Sequence, residues 1–135
     1  MGTHALIKIY DEDEEMLTQI YHHYDGYPSG VGKELAEFLL DRKIVNGFND
    51  PSELLIANGM GNLAAQLVYH FVQVDGMVGN VYIEAPSDDV EEYVYEVHFG
   101  GRDDECYVIC FADGEMVFHG LPMEMLGWIE SEECQ

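Results

Sequence analysis

The apolar positions of this chain fall into short runs with two different periods. Ala5-Leu6-Ile7-Lys8-Ile9-Tyr10 and Met16 to Tyr24 are rich in β-favouring residues and flank the acidic stretch Asp11 to Glu15, a pattern that predicts a hairpin. Side chains alternate along a strand, so Leu17, Gln19, Tyr21 and His23 share one face of its second arm and Ile20, His22 and Tyr24 the other. The adjacent histidines therefore point opposite ways.

After Tyr24 the period lengthens. Val31, Leu35, Phe38 and Leu39 recur at helical spacing and predict a helix from Gly32 to Lys43, with Arg42 and Lys43 at its negative end. Ile44 to Pro51 is built from turn residues and predicts a loop. Leu63, Leu67, Val68 and Phe71 form the stripe of a second helix ending near Val72. The glycines of Asn58-Gly59-Met60-Gly61-Asn62 predict a break before it, with Ser52 capping a short first turn from Glu53 to Ile56.

Strand-like runs return at Asn80 to Glu84, Val90 to Phe99, Cys106 to Phe111 and Glu115 to His119. They are joined by turn signals, of which Asp113-Gly114 is the strongest. In the second run Tyr93, Tyr95, Val97 and Phe99 are expected to face the core, with Glu92, Glu96 and His98 facing water. Pro122 to Cys134 predicts a short helix or a docked segment before a frayed tail. Strands and helices segregated in this way indicate a single α+β domain spanning 1–135, an antiparallel sheet with two main helices on one face.

Composition adds an extreme charge to this picture. There are 27 acidic residues against 5 basic ones, a net charge of −22 in 135 residues. Residues 84 to 135 hold 15 acids and only Arg102, so that part alone carries −14. Direct binding to nucleic acid is disfavoured, because affinity for phosphates comes largely from Lys and Arg. Attraction to a basic partner follows from the same physics. Three cysteines at 106, 110 and 134 lack a disulfide-framework spacing. With no apolar leader after Met1 and no run near the ~20 apolar residues that span a bilayer, a cytoplasmic protein free of membrane is expected.

Candidate chemistry is sparse. Gly26 to Lys33 superficially matches a phosphate loop, but Gly26 to Gly32 is one residue too long and Glu34 stands where a Ser or Thr should hold magnesium. The glycines are better explained by close packing and positive φ. Cys106 and Cys110, four apart in a strand, lie roughly 13 Å apart and cannot share a metal. The five consecutive acids Asp11 to Glu15 lack the framing of a calcium loop. No metal or cofactor is therefore expected. A nucleophile would be sought among Cys106, Cys110, Ser29 and Ser87, with His22, His23 and Asp25 as the nearest candidate partners.

The start Met1-Gly2-Thr3, the string Tyr24-Asp25-Gly26-Tyr27-Pro28-Ser29-Gly30-Val31-Gly32, the helix Glu34 to Leu39, and Ala57-Asn58-Gly59-Met60-Gly61 resemble a family of small bacterial and phage proteins with no assigned activity. The resemblance covers about the first 100 residues and implies a fold, not a mechanism. His4 departs from the arginine usual there, and the acidic carboxyl third departs from the family pattern.

Two expectations follow. The first is a non-enzymatic inhibitor in the manner of anti-CRISPR or anti-restriction proteins, docking as a polyanion mimic on a basic, nucleic-acid-binding host defence or processing protein. Its surface would be Asp88, Asp89, Glu91, Glu92, Glu96, Asp103, Asp104 and Glu105, taken as two adjacent turns and the strand between. The second is a small enzyme or ligand-binding protein whose pocket combines His22, His23, Asp25, Tyr27 and Ser29 with Asn58 to Gly61.

Overall fold

The computed structural model describes residues 3–40, 42–45, 56–76, 78–100 and 105–133. These form β1 (Ala5–Tyr10), β2 (Met16–His22), a wide helical turn of π type (Pro28–Gly32) running into α1 (Lys33–Leu39), β3 (Lys43–Val45), β4 (Ile56–Asn58), α2 (Gly59–Asp75), β5 (Val81–Glu84), β6 (Tyr93–Phe99), β7 (Cys106–Ala112), β8 (Glu115–Gly120) and α3 (Pro122–Glu133). The architecture is α+β. Six strands make one sheet in the order β5-β2-β1-β6-β7-β8, and β3 and β4 make a small parallel pair.

The sheet is mixed, not wholly antiparallel as expected. β1 and β6 run parallel in register from Ala5↔Tyr93 to Ile9↔Val97, while the other neighbouring pairs of this sheet are antiparallel. The cause is topological. β5 pairs with β2 and so points the same way as β1, and the chain then crosses β2 and β1 through residues 85–92 before starting β6. A crossover returns the chain to the starting end, whereas a tight hairpin would have reversed it.

All three helices lie on one face. Ala5, Ile7 and Ile9 of β1, Ile20 of β2, Tyr95 and Val97 of β6 and Val108 of β7 meet Leu35, Ala36 and Leu39 of α1, Met60, Leu63, Leu67 and Phe71 of α2, and Met125 and Ile129 of α3 in one buried core. Their helical positions fall three or four apart, as an apolar stripe requires. The tail helix is thus a third member of the layer.

Three local expectations change. Ile56–Asn58 is extended in β4 instead of helical, and α2 begins at Gly59, where φ is +82°, and continues to Asp75. The glycines there start the helix, helped by the acidic hairpin tip: the Glu12 carboxylate accepts the Met60 N–H at 2.9 Å, placing negative charge at the positive end of α2. The strand β3 occupies part of the stretch expected to be loop; positions 46–51 of that loop, Ser52 and most of the expected short turn lie outside the described residues.

Candidate functional site

The crossover from β5 to β6 covers the sheet face that carries no helix. Val94 and Leu6 are buried on that face beside each other in register, so it is not simply wet. Ser87 is the point where the crossover is fastened. Its carbonyl accepts the Lys8 Nζ at 2.9 Å, and its hydroxyl accepts from Gln19 Nε2 at 3.0 Å and from the Asp89 N–H at 3.2 Å. Gln19 also donates to Glu84 Oε1 at 2.9 Å. Lys8 is only 5% exposed. A buried ammonium needs acceptors, and the crossover backbone supplies one.

On this rigid strap Asp88, Asp89 and Glu92 are exposed, and Val90 between them is 69% exposed. Glu91 is half-buried with its carboxylate 3.7 Å from His4 Nδ1. Glu96 lies under the strap's level in β6, bonded to His98 Nε2 at 2.9 Å and accepting from the Tyr10 hydroxyl at 3.5 Å. The His98 ring stacks between Tyr10 (4.3 Å) and Tyr107 (5.1 Å), which explains the burial of a side chain expected to face water. Burial, followed by the Glu96 charge, pushes the Tyr10 hydroxyl up to about 12.

Glu92 and Glu105 are not adjacent. Glu92 precedes β6 and Glu105 follows Phe99 across the β6–β7 connection, so the seven residues of β6, roughly 23 Å at the usual strand rise, separate them. Asp103 and Asp104 lie outside the described residues. Only Asp88, Asp89, Glu91 and Glu92 are brought together on the strap.

Among the described residues, the ion pairs within 4.0 Å all use histidine: His4–Glu91, His22–Asp75, His70–Glu34 and His98–Glu96. None joins a Lys or Arg to a carboxylate. Among the described residues, Lys8 is the cation fastened beneath the strap, buried against a backbone carbonyl, and no Lys or Arg pairs with the strap's carboxylates.

The Asp25 to Gly32 loop is a packed joint. Gly26 donates its N–H to Thr3 O and accepts the buried Tyr95 hydroxyl at 2.7 Å. A Cβ on Gly30 would sit 2.2 Å from the Asp25 carbonyl oxygen, so only glycine fits there. The left-handed residue of the loop is Asp25 itself, at φ +58°. Its carboxylate accepts the Tyr27 hydroxyl at 3.0 Å, and its carbonyl the Val31 N–H.

Beside this joint a polar cavity of about 300 Å³ is lined by His22, Asp25, Ser29, Lys33, Glu34 and Asp75, among others. Lys33 is outnumbered by carboxylates, which disfavours a phosphate. His22 binds Asp75 Oδ2 through Nε2 at 3.1 Å, and its Nδ1 is buried without a partner, so neither ring nitrogen is offered to a ligand. His23 lies on the opposite face, stacked on His4 at 4.5 Å with Nδ1 2.9 Å from the Tyr21 hydroxyl. Asn58 to Gly61 do not reach the cavity. They start α2 at the hairpin tip, whereas Asp75 ends it beside His22, some 24 Å of helix away.

Burial pushes the Cys106 and Cys110 thiols up to about 12, leaving them protonated and poor nucleophiles near neutrality. Among the described residues no three His, Cys, Asp or Glu side chains converge as a metal site would require, and no helix is long and apolar enough to cross a membrane.

A second cavity, of about 340 Å³, was not legible in the sequence. It opens at the end of the helix-covered face between α3 and the sheet, lined by Pro28, Ser29, Tyr93, Ala112, Val117, Trp128, Ile129 and Glu132. Trp128 stacks on Phe118 at 5.2 Å, which holds its ring at the wall. The lone tryptophan of the chain, placed on an acidic tail helix, was the available hint.

No protein-family model, curated protein or solved structure matches this chain. The likeness carried by Tyr24 to Gly32 accordingly remains one of motif.

Proposed function

We propose that this chain is an acidic binding protein that docks on the basic surface of a nucleic-acid-handling protein and occupies it as a polyanion would, in the manner of an anti-CRISPR or anti-restriction inhibitor encoded by a phage. The observation that carries the proposal is the strap of residues 85–92. It displays Asp88, Asp89, Glu91 and Glu92 without a Lys or Arg in ion-pairing range among the described residues. The strap is also fastened in place by Lys8, Gln19 and Ser87. Fixed, uncompensated charge costs little ordering on binding and steers association with an oppositely charged groove.

The test is capture of host proteins at low and high salt, with double-stranded DNA as competitor. Captured proteins should be enriched in nucleic-acid binders, be released by DNA and by salt, and be lost from a variant carrying Asp88→Asn, Asp89→Asn, Glu91→Gln and Glu92→Gln. Capture that persists at high salt, or in that variant, would sink the proposal.

A further inference from the structure

The strap accounts for charge, yet it leaves the apolar cavity beside α3 unused. Tyr93, Ala112, Val117, Trp128 and Ile129 give that cavity an apolar wall at the end of the strands where the strap also finishes. A half-buried tryptophan facing an open cavity of this size is costly to leave wet, and one large apolar side chain would fill much of it.

Its rim is acidic. Glu132 is in the lining, exposed Asp113 stands in the β7–β8 turn, exposed Glu115 opens β8 opposite Ala112, and the backbone carbonyl of the strap's last residue, Glu92, accepts the Asp113 N–H at 2.9 Å. None of the lining residues is basic. Burial first, and then Cys110, Asp113 and Glu92, raise the Tyr93 hydroxyl above its ordinary value.

We infer that this cavity is an anchor pocket for the basic partner, taking one bulky apolar side chain, such as phenylalanine or leucine, from a segment in which lysines or arginines flank it. The inference rests on the docking proposal above and adds what that proposal lacks, a desolvated contact able to give residence time. Exposed charge sets the rate of encounter, whereas a filled pocket near the centre of an interface slows departure. A wholly acidic or wholly apolar partner segment fits one half of the site and not the other.

The molecule carries its own reporter, because its single tryptophan lines the pocket. Two short tryptophan-free peptides of lysine and serine, differing only in a central phenylalanine or alanine, would be titrated against the full chain while Trp128 emission is followed. The phenylalanine peptide should bind about tenfold more tightly or better, in line with burying one aromatic ring. It alone should shift the emission to the blue. Added salt should weaken both peptides but preserve the ratio between them.

Ala112→Leu, which intrudes three carbons into the cavity, should reduce the preference while leaving alanine-peptide affinity unchanged; Ser29→Leu gives a second narrowing variant if the first melts early. Asp113→Asn with Glu132→Gln should weaken both peptides. Equal, salt-sensitive binding of the two peptides overturns the pocket and leaves the acidic docking proposal standing. Phenylalanine-peptide binding whose affinity is itself indifferent to salt and to Asp113→Asn overturns the basic partner. No binding of either peptide at low salt overturns both proposals. A dimer in sedimentation that Ala112→Leu dissolves seats a second copy in the cavity and overturns the inference.

Discussion

The two faces of the sheet are covered by opposite means. On one, three helices bury Ile7, Ile9, Tyr95, Leu67, Phe71 and Met125 in a continuous apolar core. On the other, a single strap of residues 85–92 is held by Lys8, Gln19 and Ser87, and a Tyr10–His98–Tyr107 stack stands beside it. Burial of apolar area is non-directional and tolerant, so the first face can supply stability from many positions. Polar fastening is directional and depends on each partner, so the second face can hold a charged segment in one conformation. Stability is thus separated from display, and changes on the two faces should separate as well.

Phe71→Ala should give the largest loss. Phe71 is fully buried and packs edge-on to His22 at 5.8 Å; about 3–5 kcal/mol should be lost in chemical denaturation. Cooperative unfolding seen by near- and far-ultraviolet dichroism should shift together, with hydrogen exchange in the strap following global stability. Protection of the strap that is unchanged in this variant would show that the two faces unfold independently.

Lys8→Met should cost less, about 1–3 kcal/mol, because the buried Ser87 carbonyl loses a charged donor while the methionine retains much of the volume. Its distinctive effect is local. Amide exchange at Asp88 to Val90 should accelerate beyond the global change, since the strap is released at its fastening point. A uniform effect across both faces would contradict the separation.

The smallest effect is seen only in alkali. The folded-state Tyr10 hydroxyl stands at about 12 against an ordinary 10.0, so its contribution to stability is fully present below pH 10 and lost as pH rises towards 12. Glu96→Gln removes the carboxylate charge that adds to the effect of burial. Difference spectra against Tyr10→Phe should then show Tyr10 ionising at lower pH, without change at the Tyr95 side of the sheet.

The elements were largely legible because they rest on local patterns. The hairpin, the β6 to β8 meander and the stripes of α1 and α2 follow from periodicity, and period two alone placed His22 and His23 on opposite faces. What escaped depends on contacts distant in sequence. Gly59 and Gly61 signal a break to a local eye, but Glu12, 48 positions away, completes the helix start. The three-residue β4 is too short to show a period. Lys8 looks like an exposed charge until the strap is laid over it. Nothing local indicated that Asn58 and Asp25 sit at opposite ends of α2, and the positive φ expected of a loop glycine falls on Asp25. The cavity beside α3 is assembled from five separate stretches of chain, so no window of sequence contains it.

The parallel pairing of residues 5–9 with 93–97 also constrains the order in which the chain can assemble. As the protein is synthesised, the hairpin of β1 and β2 emerges with one edge of the largely apolar β1 unpaired, and the partner strand for that edge follows nearly ninety residues later. Contacts of such sequence separation close slowly, because the entropy of a long loop must be lost first. β1 is meanwhile an open edge of the kind that invites aggregation. The acids that give this chain its net charge of −22 are spread along its length and accompany that edge from the start, so mutual repulsion between nascent chains protects the slow step before any partner is met.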